Sequence, residues 1–382
     1  MKILFLATIY EHGGLSNLIR TLLDNFNREG NDIVFLVERL DTKHYPLRDD
    51  IKFINLDVKP AKGGFRKLIH IFKYLYRLRK SIIHVNPDVI IGFGFPVNCL
   101  YLFSFLWPLK NRPKVIFGGY TEMIFIKQKA RTIKEAVFKV IYRTVMFFLY
   151  HRADAIVCVS RSLASHIEKF FLMDKSKIKV VPSPVNIKKI QVCSQEEIDG
   201  HKDNLPWIGT VSRLSAEKGV NYLIEAFSQL VKKIDSRLII IGDGKERSNL
   251  ERMASDLGIR NRVDFLGWMS NPYNYLKKME VFVLSSLWEG FPQVIIESMV
   301  CGVPVVATRS VGGIEEAIRD EVDGILVPSK DVNALSDSIY RLLKDRELRD
   351  RLVREASKKI DRFDSCKITK EYESVIPTLF KE

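Results

Sequence analysis

Short apolar runs alternate with amphipathic helical stretches along almost the whole of this chain, and that alternation constrains the fold most. Residues 3–8, 32–38, 51–56, 89–92, 114–117, 155–160 and 178–181 read as strands. Helical patterns at 16–27 and 66–83 separate some of them. The rhythm then restarts, with strands at 207–211, 237–241, 263–266, 281–284 and 303–307 and helices at 220–233 and 247–257. Runs that are apolar throughout, rather than alternating, mark strands covered on both faces. Strand–helix repetition of this kind predicts α/β architecture with doubly wound parallel sheets.

A chain of 382 residues exceeds one ordinary core. The expected organisation is an N-terminal domain over 1–186, a polar linker at 187–205, a second α/β domain at 206–362, and a terminal segment, 363–382, that returns to the first domain. The five cysteines are scattered, with no C-x-x-C and no histidine at metal spacing. That pattern argues for a reducing compartment and against structural zinc. Residues 89–107 carry no charge, yet Gly92, Gly94 and Pro96 interrupt them, so a strand, a turn and a helix fit better than a membrane span. The short apolar start ends at Glu11 and reads as a first strand, not a secretory signal.

In open parallel sheets, ligands gather at the carboxyl ends of strands. Four turns there carry suitable residues. Gly13 and Gly14 lie between the first strand and its helix, where backbone can approach a phosphate. Arg213 follows a strand end, and Lys218 with Gly219 precedes the next helix, a cation pair suited to a diphosphate. Gly242-Asp243-Gly244 ends another strand near a prospective ribose or base, although Asp243 equally suits a turn. Glu289-Gly290-Phe291-Pro292 enters a helix that carries Glu297. The spacing Glu-x7-Glu also occurs at Glu217/Glu225 and Glu347/Glu355, so its setting, not its spacing, singles out Glu289/Glu297. Carboxylates there can take vicinal hydroxyls of a ribose or a sugar, or can be ion-paired surface acids.

In this order, with Val311-Gly312-Gly313 following, these motifs resemble the retaining family 4 glycosyltransferases, enzymes of two facing Rossmann-like domains called the GT-B fold. The resemblance covers nearly the whole chain and is most specific over 207–328. It implies transfer of a hexose or N-acetylhexosamine from a nucleotide sugar, expected to be UDP-linked. Arg213 and Lys218 would hold the donor diphosphate, with Gly13 and Gly14 approaching it and Gly242 lying nearby. Glu297 would bind the ribose; Glu289 and the backbone of Gly290, Phe291 and Pro292 would hold the transferred sugar. Arg213, Lys218 and Glu289 would be the catalytic set, with no metal and no cofactor besides the donor substrate. A histidine common in the family near the sugar has no counterpart here. Its region, 117–123, offers Thr121 and Glu122 as sugar or acceptor contacts, or an ordinary loop.

Charge is divided unequally. Residues 1–190 hold 32 Lys and Arg against 15 Asp and Glu, while the rest is slightly acidic. Residues 66–80 and 127–152 mix cations with aromatics, as helices lying on an anionic bilayer or gripping a lipid-linked pyrophosphate do. The expected acceptor is therefore a lipid-linked glycan or surface polysaccharide. The enzyme would be cytoplasmic and peripheral on the inner face of the cell membrane, without a nucleic-acid partner. Two alternatives stay open: transfer to a small soluble acceptor such as a sugar phosphate, and a non-catalytic module binding anionic lipid or nucleic acid.

Overall fold

The computed structural model describes residues 1–7, 13–38, 48, 50–56, 64–94, 112–119, 132–198 and 205–380, without the side chains of 64–72 and 134. Two compact units emerge, Met1–Ser183 with Cys366–Glu382, and Pro184–Ser365.

The first unit holds seven parallel strands: β1 (Lys2–Ala7), β2 (Asp32–Val37), β3 (Lys52–Asn55), β4 (Val89–Phe93), β5 (Lys114–Gly119), β6 (Ala155–Cys158) and β7 (Ile178–Val180). Their order is β3-β2-β1-β4-β5-β6-β7, so the chain winds outward from β1 and then restarts beside it with β4. Helices α1 (Gly14–Asn25), α2 (Gly64–Val85), α3 (Ile133–Arg152) and α4 (Arg161–Phe171) connect them. Phe5 of β1 stacks on Phe93 of β4 at 5.8 Å and meets Phe26 edge-on at 5.2 Å. Such aromatic contacts reinforce the area they bury. The terminal helix Ser365–Thr378 adds to this core, with Tyr372 at 6.3 Å from Phe93.

The second unit opens with helix α5 (Ile187–Cys193), inside the stretch read from sequence as linker. Asn186 caps it by accepting from the Lys189 N–H at 3.0 Å, and Ile187 and Ile190 are buried. Two apolar residues in one short helix give too little periodicity to be legible. Strands β8 (Trp207–Val211), β9 (Arg237–Ile241), β10 (Val263–Gly267), β11 (Val281–Leu284), β13 (Val305–Thr308) and β15 (Ile325–Val327) form a parallel sheet ordered β10-β9-β8-β11-β13-β15. The two-residue strands β12 (Trp288–Glu289) and β14 (Val311–Gly312) pair separately.

Helices α6 (Val220–Leu230), α7 (Arg247–Asp256), α8 (Tyr273–Lys277), α9 (Gln293–Val300), α10 (Ile314–Ala317), α11 (Val332–Lys344) and α12 (Arg346–Ser357) complete the unit. One core contains Ile208, Leu223, Phe227, Leu238, Val283, Val306 and Ile339. A Leu223→Ala cavity there would cost about 2–5 kcal/mol.

Candidate active site

Both sheets reverse their winding between the first and fourth strands, where a crevice opens at the carboxyl ends. In the second unit that point lies between β8 and β11. The turn after β8 runs through a 3-10 segment, Ala216–Lys218, and the turn after β11 leads through β12 into α9. Three bonds stitch these turns together or brace them. The Leu287 N–H donates to the Glu217 carbonyl at 2.8 Å, Ser285 Oγ to the Lys218 carbonyl at 3.1 Å, and the Lys218 N–H to the Ser215 carbonyl at 2.9 Å.

On this frame Lys218 Nζ meets Glu289 Oε1 at 2.6 Å, and Ser286 Oγ donates to the same oxygen at 2.7 Å. Glu289 is 8% exposed. In so dry a place a carboxylate needs compensating partners, and here a cation and a hydroxyl supply them. Its Oε2 takes no donor among the described residues, which leaves one acceptor for a ligand hydroxyl. Arg213, mostly exposed, donates to Glu217 Oε1 at 3.1 Å. Lys218 and Glu289, read from sequence as members of different pairs, are thus in direct contact, with Arg213 on the same turn as Lys218.

Two glycines show how closely these turns pack. Gly312 has φ +124°, and a Cβ on it would stand 1.6 Å from the Glu289 carbonyl oxygen. The Gly313 N–H donates to the carbonyls of Glu289 and Gly290 at 3.3 and 3.1 Å. The loop after β13 therefore clamps β12. Gly242 has φ +129°, and its Cβ would meet the Ser212 carbonyl oxygen at 1.9 Å. The Leu214 N–H also donates to the Asp243 carbonyl at 2.9 Å. Gly242 thereby supports the turn that carries Arg213. Asp243 takes the turn reading: its carboxylate accepts from the Gly244 N–H at 2.7 Å and pairs with Arg247 at 3.0 Å, and these bonds hold it below the usual carboxylate range.

Pro292 is the residue before α9, one position earlier than the first-turn place its sequence setting suggests. Phe291 is buried, its ring 5.4 Å from that of Phe363, so its side chain serves packing and only its backbone faces the turn chemistry. Glu297 lies a turn into α9, half-buried, and no bond joins it to Lys218, Glu289 or Arg213 among the described residues. Burial pushes its carboxyl up to about 7, while Lys189 of α5 pulls the other way. Its neighbours feel it: burial, then the Glu297 charge, raises the Tyr273 phenol and pushes the Cys301 thiol up to about 12.

In the first unit Gly13 precedes α1 and Gly14 opens it. Thr121 and Glu122 lie outside the described residues. Helix α3 buries Tyr142, Met146, Leu149 and Tyr150, yet exposes Ile133, Val137, Phe138, Val140, Ile141 and Phe148 on its other side. Arg143 lies over the Phe170 ring at 4.3 Å. Sequence periodicity in α3 indicated a helix but not how much of its apolar surface the sheet would leave uncovered. Among the described residues no acidic, histidine or cysteine cluster of metal-ligating form occurs, and no helix is long and apolar enough to cross a membrane.

Doubly wound order in both sheets, with the polar cluster at a switch point, defines a protein of two Rossmann-like units. Residues 12–189 match the model for Glycosyltransferase Family 4, and residues 194–359 that for Glycosyl transferases group 1. The chain belongs to this glycosyltransferase family, and its activity is glycosyl transfer. One curated relative is the N-acetylgalactosamine-N,N'-diacetylbacillosaminyl-diphospho-undecaprenol 4-alpha-N-acetylgalactosaminyltransferase of Campylobacter jejuni, 28% identical over 94% of each chain. Among solved structures, sucrose-phosphate synthase from Thermosynechococcus elongatus superposes with a TM-score of 0.82 at 18% identity, covering 100% of this chain and 99% of the other. Anabaena HepE in complex with UDP-glucose gives 0.77 at 20% identity, covering 99% and 100%. At those identities the likeness establishes the GT-B fold.

Proposed function

We propose that this enzyme moves a hexose or N-acetylhexosamine from a UDP-sugar to a lipid-linked glycan, with retention of anomeric configuration and without a metal. The observation that carries the reading is the Lys218–Glu289 contact at the switch point, with Glu289 Oε2 left open. Lys218 and Arg213 supply positive charge for the donor diphosphate, and the positive end of the α9 dipole adds to it. The sugar C1–O bond to phosphate breaks as the acceptor oxygen bonds to C1 from the same face. The acceptor proton passes to a phosphate oxygen of the departing nucleoside diphosphate.

Glu289 is a clamp for sugar hydroxyls rather than a nucleophile, since Lys218 and Ser286 already occupy Oε1 and tie the carboxylate down. Glu297, its carboxyl raised by burial to about 7, exchanges between protonated and charged forms near neutrality and is suited to a ribose diol as either donor or acceptor. The backbone of Gly290 completes the donor set of the second unit. The relative from Campylobacter acts, by its name, on a diphospho-undecaprenol-linked sugar, which supports a lipid-linked acceptor. The HepE complex with UDP-glucose supports the uridine donor. The apolar stripe on α3 and the cationic excess of residues 1–190 support peripheral attachment to an anionic membrane.

Thermal stabilisation by UDP-, GDP- and ADP-sugars tests the donor assignment. UDP-sugars are expected to raise the melting temperature most; stabilisation by GDP- or ADP-sugars alone would reassign the base.

A further inference from the structure

Glu217 belongs to the Glu-x7-Glu pairs that spacing alone leaves unremarkable, yet it is the residue that holds Arg213. The Arg213 side chain is 64% exposed, and its bond to Glu217 Oε1 at 3.1 Å is the only one the guanidinium makes among the described residues. Glu217 is the better fixed partner. Ser215 Oγ donates to the same Oε1 at 2.6 Å, and the Leu287 N–H anchors the Glu217 carbonyl to the turn after β11 at 2.8 Å. Burial works against the charge on Glu217, but the Ser215 hydroxyl, its own backbone N–H, Arg213 and Lys218 outweigh it and keep the carboxyl below its usual range.

Glu217 lies four positions after Arg213, but the segment between them is not α-helical, so the contact is no by-product of helix geometry. Among the described residues, only one guanidinium nitrogen is engaged. The remaining N–H groups are available for a ligand. An exposed arginine carries large rotamer entropy, and a ligand that finds it already oriented loses less on binding.

We propose that Glu217 is a positioning residue of the donor site: it orients the Arg213 guanidinium beside Lys218 so that the diphosphate of a nucleotide meets both cations preorganised. This rests on Arg213 being a diphosphate ligand, as the proposed function has it.

The test is calorimetric titration of the full chain with UDP, GDP and ADP, taking the tightest as probe and its nucleoside as control. Arg213→Ala is expected to weaken diphosphate binding about 100-fold and Glu217→Ala about tenfold, within the range for a charge-assisted hydrogen bond. Glu217→Gln, which still accepts from Ser215 and Arg213, should recover most of that loss. The double variant should bind no more weakly than Arg213→Ala alone, and nucleoside binding should stay unchanged throughout. Wild-type affinity in Glu217→Ala, losses that add in the double variant, or a parallel loss of nucleoside binding would overturn the positioning role. Unchanged diphosphate binding in Arg213→Ala, or no binding of any nucleotide by the wild-type protein, would instead remove the donor reading beneath it.

Discussion

At the scale of single residues, the Lys218–Glu289 contact changes what a substitution there means. Lys218→Ala would leave Glu289, 8% exposed, with only the Ser286 hydroxyl as partner and no cation, at a cost of about 3–5 kcal/mol. It should therefore lose both activity and about 10 °C of melting temperature. Glu289→Gln keeps an acceptor for Lys218 and Ser286 and should melt close to wild type while losing transfer. Differential scanning calorimetry beside an activity assay separates the two; unaltered melting in Lys218→Ala would contradict the buried pairing.

Glu297 gives a second residue-scale test. Its carboxyl is raised to about 7 from an ordinary 4.5, so the folded state holds a proton that the unfolded state has released between those values. The stability it contributes is complete below pH 4.5 and is lost as pH rises through 7. Glu297→Gln should thus melt about 3–6 °C above wild type at pH 8 and show no such gain at pH 4.5. A gain independent of pH would exclude the raised carboxyl.

At the scale of elements, β12 and β14 exist because they pair with each other, and Gly312 is what lets them approach. In Gly312→Ala the new Cβ would collide with the Glu289 carbonyl oxygen in a backbone conformation unfavourable to alanine. Donor turnover should fall by about 100-fold or more through displacement of Glu289. Retention of wild-type turnover would mean that the clamp does not set the position of Glu289.

The same elements show what was legible in sequence and what was not. The strands at 207–211, 237–241 and 281–284 are predominantly apolar and largely buried, and their limits agree with β8, β9 and β11. Strand 303–307 shifts to β13, Val305–Thr308, because Val303 packs in the approach to the strand rather than pairing in it. Two-residue strands have no periodicity, and α5 has two buried apolar residues, so neither could be read. Lys218 and Glu289 were legible because glycine and proline mark the turns that hold them. The role of Glu217 was not, because it depends on a through-space contact across a non-helical turn.

At the scale of the whole molecule, the charge asymmetry and the α3 stripe meet in the first unit. Cosedimentation should be stronger with phosphatidylglycerol vesicles than with neutral phosphatidylcholine ones at low salt, and should weaken as salt rises. Phe138→Asp with Ile141→Asp, both exposed on α3, should reduce vesicle binding without lowering the melting temperature. Equal binding to both kinds of vesicle would remove the electrostatic part of this attachment.

A donor site built on Lys218 and Glu289, as proposed for this glycosyltransferase, is tested most directly by the rate at which the wild-type enzyme and Glu289→Gln release nucleoside diphosphate from UDP-sugars, below the melting temperature of both. Release by the wild type and a loss of about 100-fold or more in the variant, with UDP still bound, are expected. Equal rates in the two proteins would rule out a donor site that depends on Glu289.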